Sequence, residues 1–264
     1  MLLVFDIGNT NITFGIYNKK TLIFRESIPT ILDKTIDEYA IDLIEIFLNQ
    51  KIDCIRIENV LIGSVVPSLN NTIKDAVKKF ATESTKIKII GQNKIKFNII
   101  NKSTKQNEVG HDRLINSVAA FDKYRNNLII IDLGTAVTFD VVSKEGCYFG
   151  GIIFPGLNIS LKALHENTSK LPLLRLSKPP KKVIGRCTDE AILSGIYNGY
   201  NAMIEGVIAK IENEYGSNMQ KIFTGGQAIF FKDLIKKINA YLDVDLTLRG
   251  LRILHENNTK NNES

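Results

Sequence analysis

The chain has 264 residues and a mass of 29.6 kDa, with 44% hydrophobic and 23% charged residues, a net charge of +6 and a pI near 9.0. Such values suit one large domain or two lobes of about 130 residues, and they exclude a disordered or collagen-like chain. No apolar run approaches the ~18–20 residues of a membrane span, the start Met1–Asp6 lacks the features of a signal peptide, and Cys54, Cys147 and Cys187 are too scattered for a disulfide framework or a structural zinc site. A cytoplasmic protein is expected. Lysine is spread along the whole chain, and its densest cluster, Lys178-Pro-Pro-Lys-Lys182, has no interleaved aromatics. That predicts no nucleic-acid and no membrane partner, while a modest positive field suits an anionic substrate.

In chain order, Leu2-Leu-Val-Phe-Asp-Ile-Gly-Asn-Thr-Asn-Ile-Thr-Phe-Gly-Ile-Tyr17 comes first. An apolar strand delivers Asp-x-Gly, a second strand alternates polar and apolar residues, and a turn leads to a third strand, Leu22–Glu26. Ile36–Gln50 has helical spacing, Val60–Val66 reads as a strand ended by Pro67, Leu69–Thr82 as a helix and Ile87–Ile90 as a short strand. The opening pattern then returns in Ile129-Ile-Ile-Asp-Leu-Gly-Thr-Ala-Val-Thr-Phe-Asp-Val-Val142, followed by Tyr148–Phe154. A β-meander opening each half implies two α/β lobes related by duplication. Asp189–Glu214 predicts a long helix whose Gly195 and Gly199 suggest close packing against another element. Lys221–Phe223 reads as a strand, Ala228–Ala240 as a helix, and the polar tail after Leu254 as frayed.

The turn Asp6-Ile-Gly-Asn-Thr-Asn-Ile-Thr13 gathers backbone N–H groups and small polar side chains that can hold phosphate oxygens. Asp6 would face those phosphates through a cation such as Mg²⁺, held partly by water. An ordinary hairpin uses the same turn-forming residues, but the second copy, Asp132-Leu-Gly-Thr135-Ala136, favours function. If the lobes face each other, Asp6 and Asp132 flank one cleft. Phe223-Thr-Gly-Gly226 follows a strand and lets backbone approach a nucleoside or its α-phosphate. Neither a GxxxxGK[ST] loop nor a GxGxxG fingerprint occurs. The three ordered elements resemble the superfamily of acetate kinase, sugar kinases, heat-shock proteins and actin.

Gly110-His-Asp-Arg113 opens a helix with Leu114, Val118 and Phe121 on its apolar face. There Asp112 and Arg113 could orient a hydroxyl acceptor and neutralise an anionic group, or Asp112 could serve only as the helix N-cap. With these motifs and the turn Gly185-Arg-Cys-Thr188 before the long helix, the sequence resembles the type III pantothenate kinases over nearly its whole length up to about Leu254.

The resemblance implies a duplicated ribonuclease H-like fold, each lobe having a mixed β-sheet opened by a β-meander and flanked by helices. Expected lobes are residues 1–115 and 116–254, with a polar tail at 255–264. It implies ATP-dependent phosphorylation of pantothenate to 4′-phosphopantothenate, the first step towards coenzyme A, in a homodimer. Asp6, Ile7, Gly8, Asn9, Thr10, Asn11, Ile12 and Thr13 would hold ATP phosphates, with Thr135 contacting the nucleotide and Asp6 serving Mg²⁺. Asp132 would ligate a monovalent cation, K⁺ or NH₄⁺. Gly110, His111, Asp112 and Arg113 would bind pantothenate, with Asp112 as proton acceptor, and Thr188 would contact pantothenate across the dimer interface.

Three positions depart from the family's pattern. Ser103 stands where a Tyr is usual, Gln106 where a Pro is usual, and His111 where the residue is generally small. His111 is expected to point away from the chemistry, His165 and His255 to be structural or on the surface, and Cys187 to be a small buried side chain with no activated thiolate. A non-catalytic regulator of the Bvg accessory factor type, or a kinase for another small alcohol, are the competing expectations.

Overall fold

The computed structural model describes residues 1–260, and the chain divides into two compact units. One comprises Met1–Ile100, Lys105–Ala119 and the C-terminal segment from Leu246; the other comprises Asn101–Thr104 and Ala120–Asp245.

In the first unit, β1 (Leu2–Ile7), β2 (Asn11–Asn18) and β3 (Thr21–Pro29) form the expected meander. It is followed by α1 (Ile36–Asn49), β4 (Asn59–Ser64), α2 (Asn70–Lys78) and β5 (Lys86–Ile89). The sheet order is β3-β2-β1-β4-β5, with β1, β4 and β5 parallel. A central parallel strand is covered on both faces, which explains why Leu2–Phe5 and Ile7 are all buried. Phe5, Phe14, Phe24, Phe47 and Phe80 pack ring to ring through this core, with neighbouring centroids 5.5–6.0 Å apart. Thr35 and Glu38 close a reciprocal capping box that fixes where α1 begins. The helix α3 (His111–Tyr124) starts in this unit and passes into the other after Ala119.

The second unit repeats the plan. Its sheet and helices are β7 (Leu128–Leu133), β8 (Ala136–Val142), β9 (Cys147–Pro155), α4 (Leu157–Glu166), α5 (Thr188–Tyr215), β10 (Gln220–Thr224), α6 (Lys232–Lys237) and β11 (Tyr241–Leu242), with β6 (Ile100–Asn101), at the junction of the two units, as the sheet's edge strand. The order β11-β10-β7-β8-β9-β6 is the first sheet's order with one edge strand added. The expected α/β duplication, with a mixed sheet opened by a meander in each half, is the fold observed.

Several expectations need correction. The C-terminal segment is α7 (Leu246–Lys260), not a tail frayed from residue 255. Residues 261–264 lie outside the described residues. Leu248, Leu251 and Leu254 recur at helical spacing and are buried where α7 packs on β1, β2 and β4. Leu248 Cδ1 would lie 3.1 Å from a Cβ at Gly15, and Leu251 Cδ2 2.9 Å from one at Gly63. The first unit therefore does not end at residue 115; it reclaims the end of the chain. The helix expected over 228–240 is a 3₁₀ turn, Ala228–Phe231, followed by α6 and β11. Beyond the backbone of their own helix, no atom of the described residues lies within 4 Å of where a Cβ would sit on Gly195 or Gly199 of α5, so no other described element packs closely on them.

Candidate active site

Each unit carries its Asp-x-Gly at the carboxyl end of its central strand. Along both β1 and β7 the burial pattern is the same: every residue is buried except the aspartate, Asp6 or Asp132, which is half-buried. In the first unit Asp6 faces Thr13 on β2 and Gly63 on β4. The turn comprises Gly8–Asn11, closed by a bond from the Gly8 N–H to the Asn11 carbonyl of 3.0 Å. Gly8 is needed for this approach, since a Cβ would lie 3.1 Å from the Asn11 oxygen. Its φ is not positive, so an αR–αL nest does not form there. Asn9, Thr10 and Asn11 are exposed, whereas Ile7 and Ile12 are buried anchors. Thr30, which belongs to none of the sequence motifs, clamps the turn: its hydroxyl donates to the Gly8 carbonyl at 2.7 Å and its N–H to the Thr10 carbonyl at 3.0 Å.

Gly110–Arg113 belongs to the same unit. The Leu114 N–H donates to the Gly110 carbonyl at 3.4 Å, and α3 begins at His111. Gly110 is therefore the cap and Asp112 lies inside the first turn, which corrects its reading as an N-cap. Asp112 Oδ1 occupies the space over Gly110 into which any β-carbon would project. Arg113 and Asp112 are both half-buried. The imidazole of His111 stacks on Phe97, centroids 6.2 Å apart at 15°, and sits over Gly91, whose positive φ of 89° only glycine adopts freely. Gly91 follows β5, so the Gly110–Arg113 turn lies at the carboxyl end of the parallel strands, as Asp6 does. Ser103, in the other unit, donates from its N–H and hydroxyl to the Asn101 carboxamide oxygen.

In the second unit Asp132 faces Thr138 on β8 and Thr224 on β10. Its turn is shorter, with Gly134–Ala136 closed by a 3.0 Å bond from Gly134 N–H to the Ala136 carbonyl. Thr135 is exposed at its tip. Two further glycines press on this turn. A Cβ on Gly156, the cap of α4, would meet the backbone oxygens of Thr135 and Gly134, and one on Gly225 would meet Asp132 Oδ1 and lie 2.6 Å from the Leu133 carbonyl. Gly225 has a φ of 88°. Thr224-Gly-Gly226 thus rises over Asp132, and the chain regains the sheet when Gln227 N–H donates to the Leu133 carbonyl at 3.0 Å. From there a cleft of about 510 Å³ runs along α4, lined by Asn158, Lys162, Leu174, Leu176, Gln227 and Phe230. Gln227 Oε1 is buried in its wall without a hydrogen-bond partner. Another cleft of about 420 Å³, lined by Lys74, Lys78 and Ile87 among others, flanks α2 in the first unit and contains none of these residues.

Thr188 is the exposed first residue of α5, and Cys187 just before it is exposed too, not buried as expected. The turn before it is fixed by a 2.8 Å bond from Arg186 N–H to Glu190 Oε2 and by Gly185, which lies against the backbone of Glu190 and Ala191. Among the described residues, no three or more His, Cys, Asp and Glu side chains form a metal-binding group. Among the described residues, no helix is long and apolar enough to cross a membrane.

Residues 2–210 match the model of the type III pantothenate kinase family. A type III pantothenate kinase from Paramagnetospirillum magneticum is 41% identical over 260 residues, covering 98% of each chain, and one from Desulforapulum autotrophicum is 39% identical over 254 residues, covering 96% of each. The chain belongs to the type III pantothenate kinase family. It is accordingly a pantothenate kinase, phosphorylating pantothenate in coenzyme A biosynthesis, and as a kinase it uses ATP. Among solved structures it is similar to a Baf family transcriptional activator from Campylobacter jejuni, with a TM-score of 0.59 at 19% identity covering 98% and 99% of the two chains. It is also similar to the ethanolamine utilization protein EutJ from Carboxydothermus hydrogenoformans, with a TM-score of 0.54 at 11% identity covering 96% and 89%. At such identities these likenesses show the fold alone.

Proposed function

We propose that the two Asp-x-Gly turns divide the handling of ATP and that Gly110–Arg113 presents the alcohol. In this reading the Gly8–Asn11 turn, with Asn9, Thr10 and Asn11 exposed and Thr30 steadying it, holds the phosphates. Ile7 and Ile12 anchor the turn and Thr13 lines it opposite Asp6. Asp6 supplies one carboxylate, which suits Mg²⁺ completed by phosphate oxygens and water rather than an all-protein cage. When bound, Mg²⁺ neutralises charge on the transferring phosphoryl group.

Asp132 is the partner of a monovalent cation, and Thr135 touches the nucleotide. The close approach of Gly156 and Gly225 supports this assignment, because it leaves the second turn no room for a bulkier ligand set. The nucleoside lies towards the Gln227 cleft, where Leu174, Leu176 and Phe230 offer apolar surface and the orphaned Gln227 acceptor fits a base bearing an amino group.

Asp112 accepts the proton of the primary alcohol of pantothenate as it attacks the γ-phosphate in line. Arg113 holds the carboxylate end, while Gly110 and His111 shape the turn. The single observation that carries this role is the placement of Asp112 inside the first turn of α3, over Gly110 and off the cap position. Phosphoryl transfer through a loose transition state needs little deprotonation early on, so much of the contribution of Asp112 is orientation.

The active species is a homodimer joined along α5, which brings Thr188 to the partner's pantothenate. Support comes from Gly195, Gly199 and Gly206, which face open space, and from Val183 and Ile184, which are 70% and 82% exposed just before the helix. Purified protein with ATP, Mg²⁺, K⁺ and either pantothenate or a panel of small alcohols tests the whole reading. Phosphopantothenate should form in preference to the other products, and sedimentation at micromolar concentration should give a dimer. A fully active monomer would refute the interface.

A further inference from the structure

Asp140 is a carboxylate on β8 with no exposed surface. The Tyr148 hydroxyl donates to its Oδ1 at 2.8 Å, and the Thr138 hydroxyl donates to its Oδ2 at 3.3 Å. A threonine hydroxyl has one proton and two lone pairs. With the proton committed to Asp140, the Thr138 oxygen can only accept or ligate. Thr138 is also the residue directly across the ladder from Asp132, so the two side chains share a face with Cβ atoms about 4.5–5.5 Å apart. A carboxylate and a hydroxyl oxygen placed side by side, neither with a proton for the other, attract a cation. One carboxylate plus a neutral oxygen suits an ion of low charge.

The first unit lacks this arrangement. Thr13 is likewise across from Asp6, but its hydroxyl pairs at 3.2 Å with the Ser27 hydroxyl, where either group can donate. The position matching Asp140 is Gly15: Gly15 lies across from Val4 as Asp140 lies across from Ile130. We propose that Thr138 is a second oxygen ligand of the monovalent cation beside Asp132, and that Asp140, braced by Tyr148, is the positioning residue that turns the Thr138 lone pairs towards it. This rests on the assignment of Asp132 to that cation.

The test uses thallium(I), a spectroscopic stand-in for K⁺, titrated into the full-length protein and followed by its own resonance, alongside the K⁺ dependence of turnover. Thr138→Val and Asp140→Asn should each weaken thallium binding and raise the half-saturating K⁺ concentration about 10–100-fold. Thr138→Ser, which keeps the hydroxyl, should stay within a few-fold of the native protein and separates ligation from packing if Asp140→Asn fails to fold. Folded Thr138→Val with native thallium affinity overturns the proposal. If Asp132→Ala abolishes binding while Thr138→Val does not, this inference alone fails. If Asp132→Ala binds thallium normally, or the native protein does not bind it, the assignment of Asp132 fails and the inference with it.

Discussion

The two Asp-x-Gly turns differ less in their strands than in what closes over them. The first is the longer loop, Gly8–Asn11, with three exposed polar residues and a clamp, Thr30, at its back. The second is a shorter loop, Gly134–Ala136, crowded by the backbone at Gly156 and Gly225. After β4 the Val65 N–H returns at once to the Ile7 carbonyl, whereas after β10 the chain detours through Gly225-Gly226 before Gln227 reaches the Leu133 carbonyl. An open turn with exposed polar residues suits polyanion binding. A crowded turn whose neighbouring hydroxyl is spoken for by a buried acid suits a small cation. Duplication thus supplied one frame twice, and divergence fell on the residues beside each aspartate.

The sharpest way to break this comparison is to neutralise the two carboxylates separately. Asp6→Asn should lower turnover about 10²–10³-fold, the scale of losing one preorganised electrostatic contact in a site, at any K⁺ concentration. Asp132→Ala should instead remove the response to K⁺. Steady-state assays across K⁺ concentrations decide it, and identical behaviour of the two variants would erase the division of labour. Next in size, Asp112→Asn should reduce turnover at least ~10-fold while nucleotide affinity and melting temperature change little, since the side chain does not cap α3. Equal loss in His111→Ala would send the proton elsewhere, because His111 is stacked on Phe97 over Gly91.

The backbone difference is tested by Gly225→Ala. Positive φ and collision with Asp132 and Leu133 should cost more than about 1 kcal/mol of stability, read by chemical denaturation, and should weaken nucleotide binding. Gly226→Ala has open space at its Cβ and should be mild by comparison. The smallest effect concerns α7. Burial, then Lys88, holds the His255 imidazole below its usual pKa, with Glu256 opposing. The unfolded chain then binds a proton more readily. Stability is intact above about pH 6.5 and falls as pH drops from there through the lower folded value. His255→Gln should flatten that part of the melting-temperature profile, and an unchanged profile would remove His255 from the acid response.

Much of this was legible in the sequence because it is local. Asp-x-Gly after an apolar strand, alternating residues behind it and the repetition of both define the meanders, and the periodicity of Ile36–Gln50 matches α1 to within a residue. The family resemblance rests on the same short motifs. Gly110-His-Asp-Arg113 was visible as a helix start, although which residue caps it depends on backbone geometry that one residue's shift alters. Thr30 carries no sequence signal of its role, because a threonine after a proline at a strand end is an ordinary turn residue.

What the sequence by itself determined was therefore the duplicated α/β frame, the family and the short motifs, since each is written in spacings of a few residues. The tertiary structure alone decided that α7 folds with the first unit, that Gly225 lies over Asp132, and that the Tyr148 hydroxyl braces Asp140. Those contacts join residues that chain spacing does not pair. Leu251 meets Gly63, Gly225 meets Asp132, and Tyr148 reaches Asp140 only because strand register and helix packing bring them together.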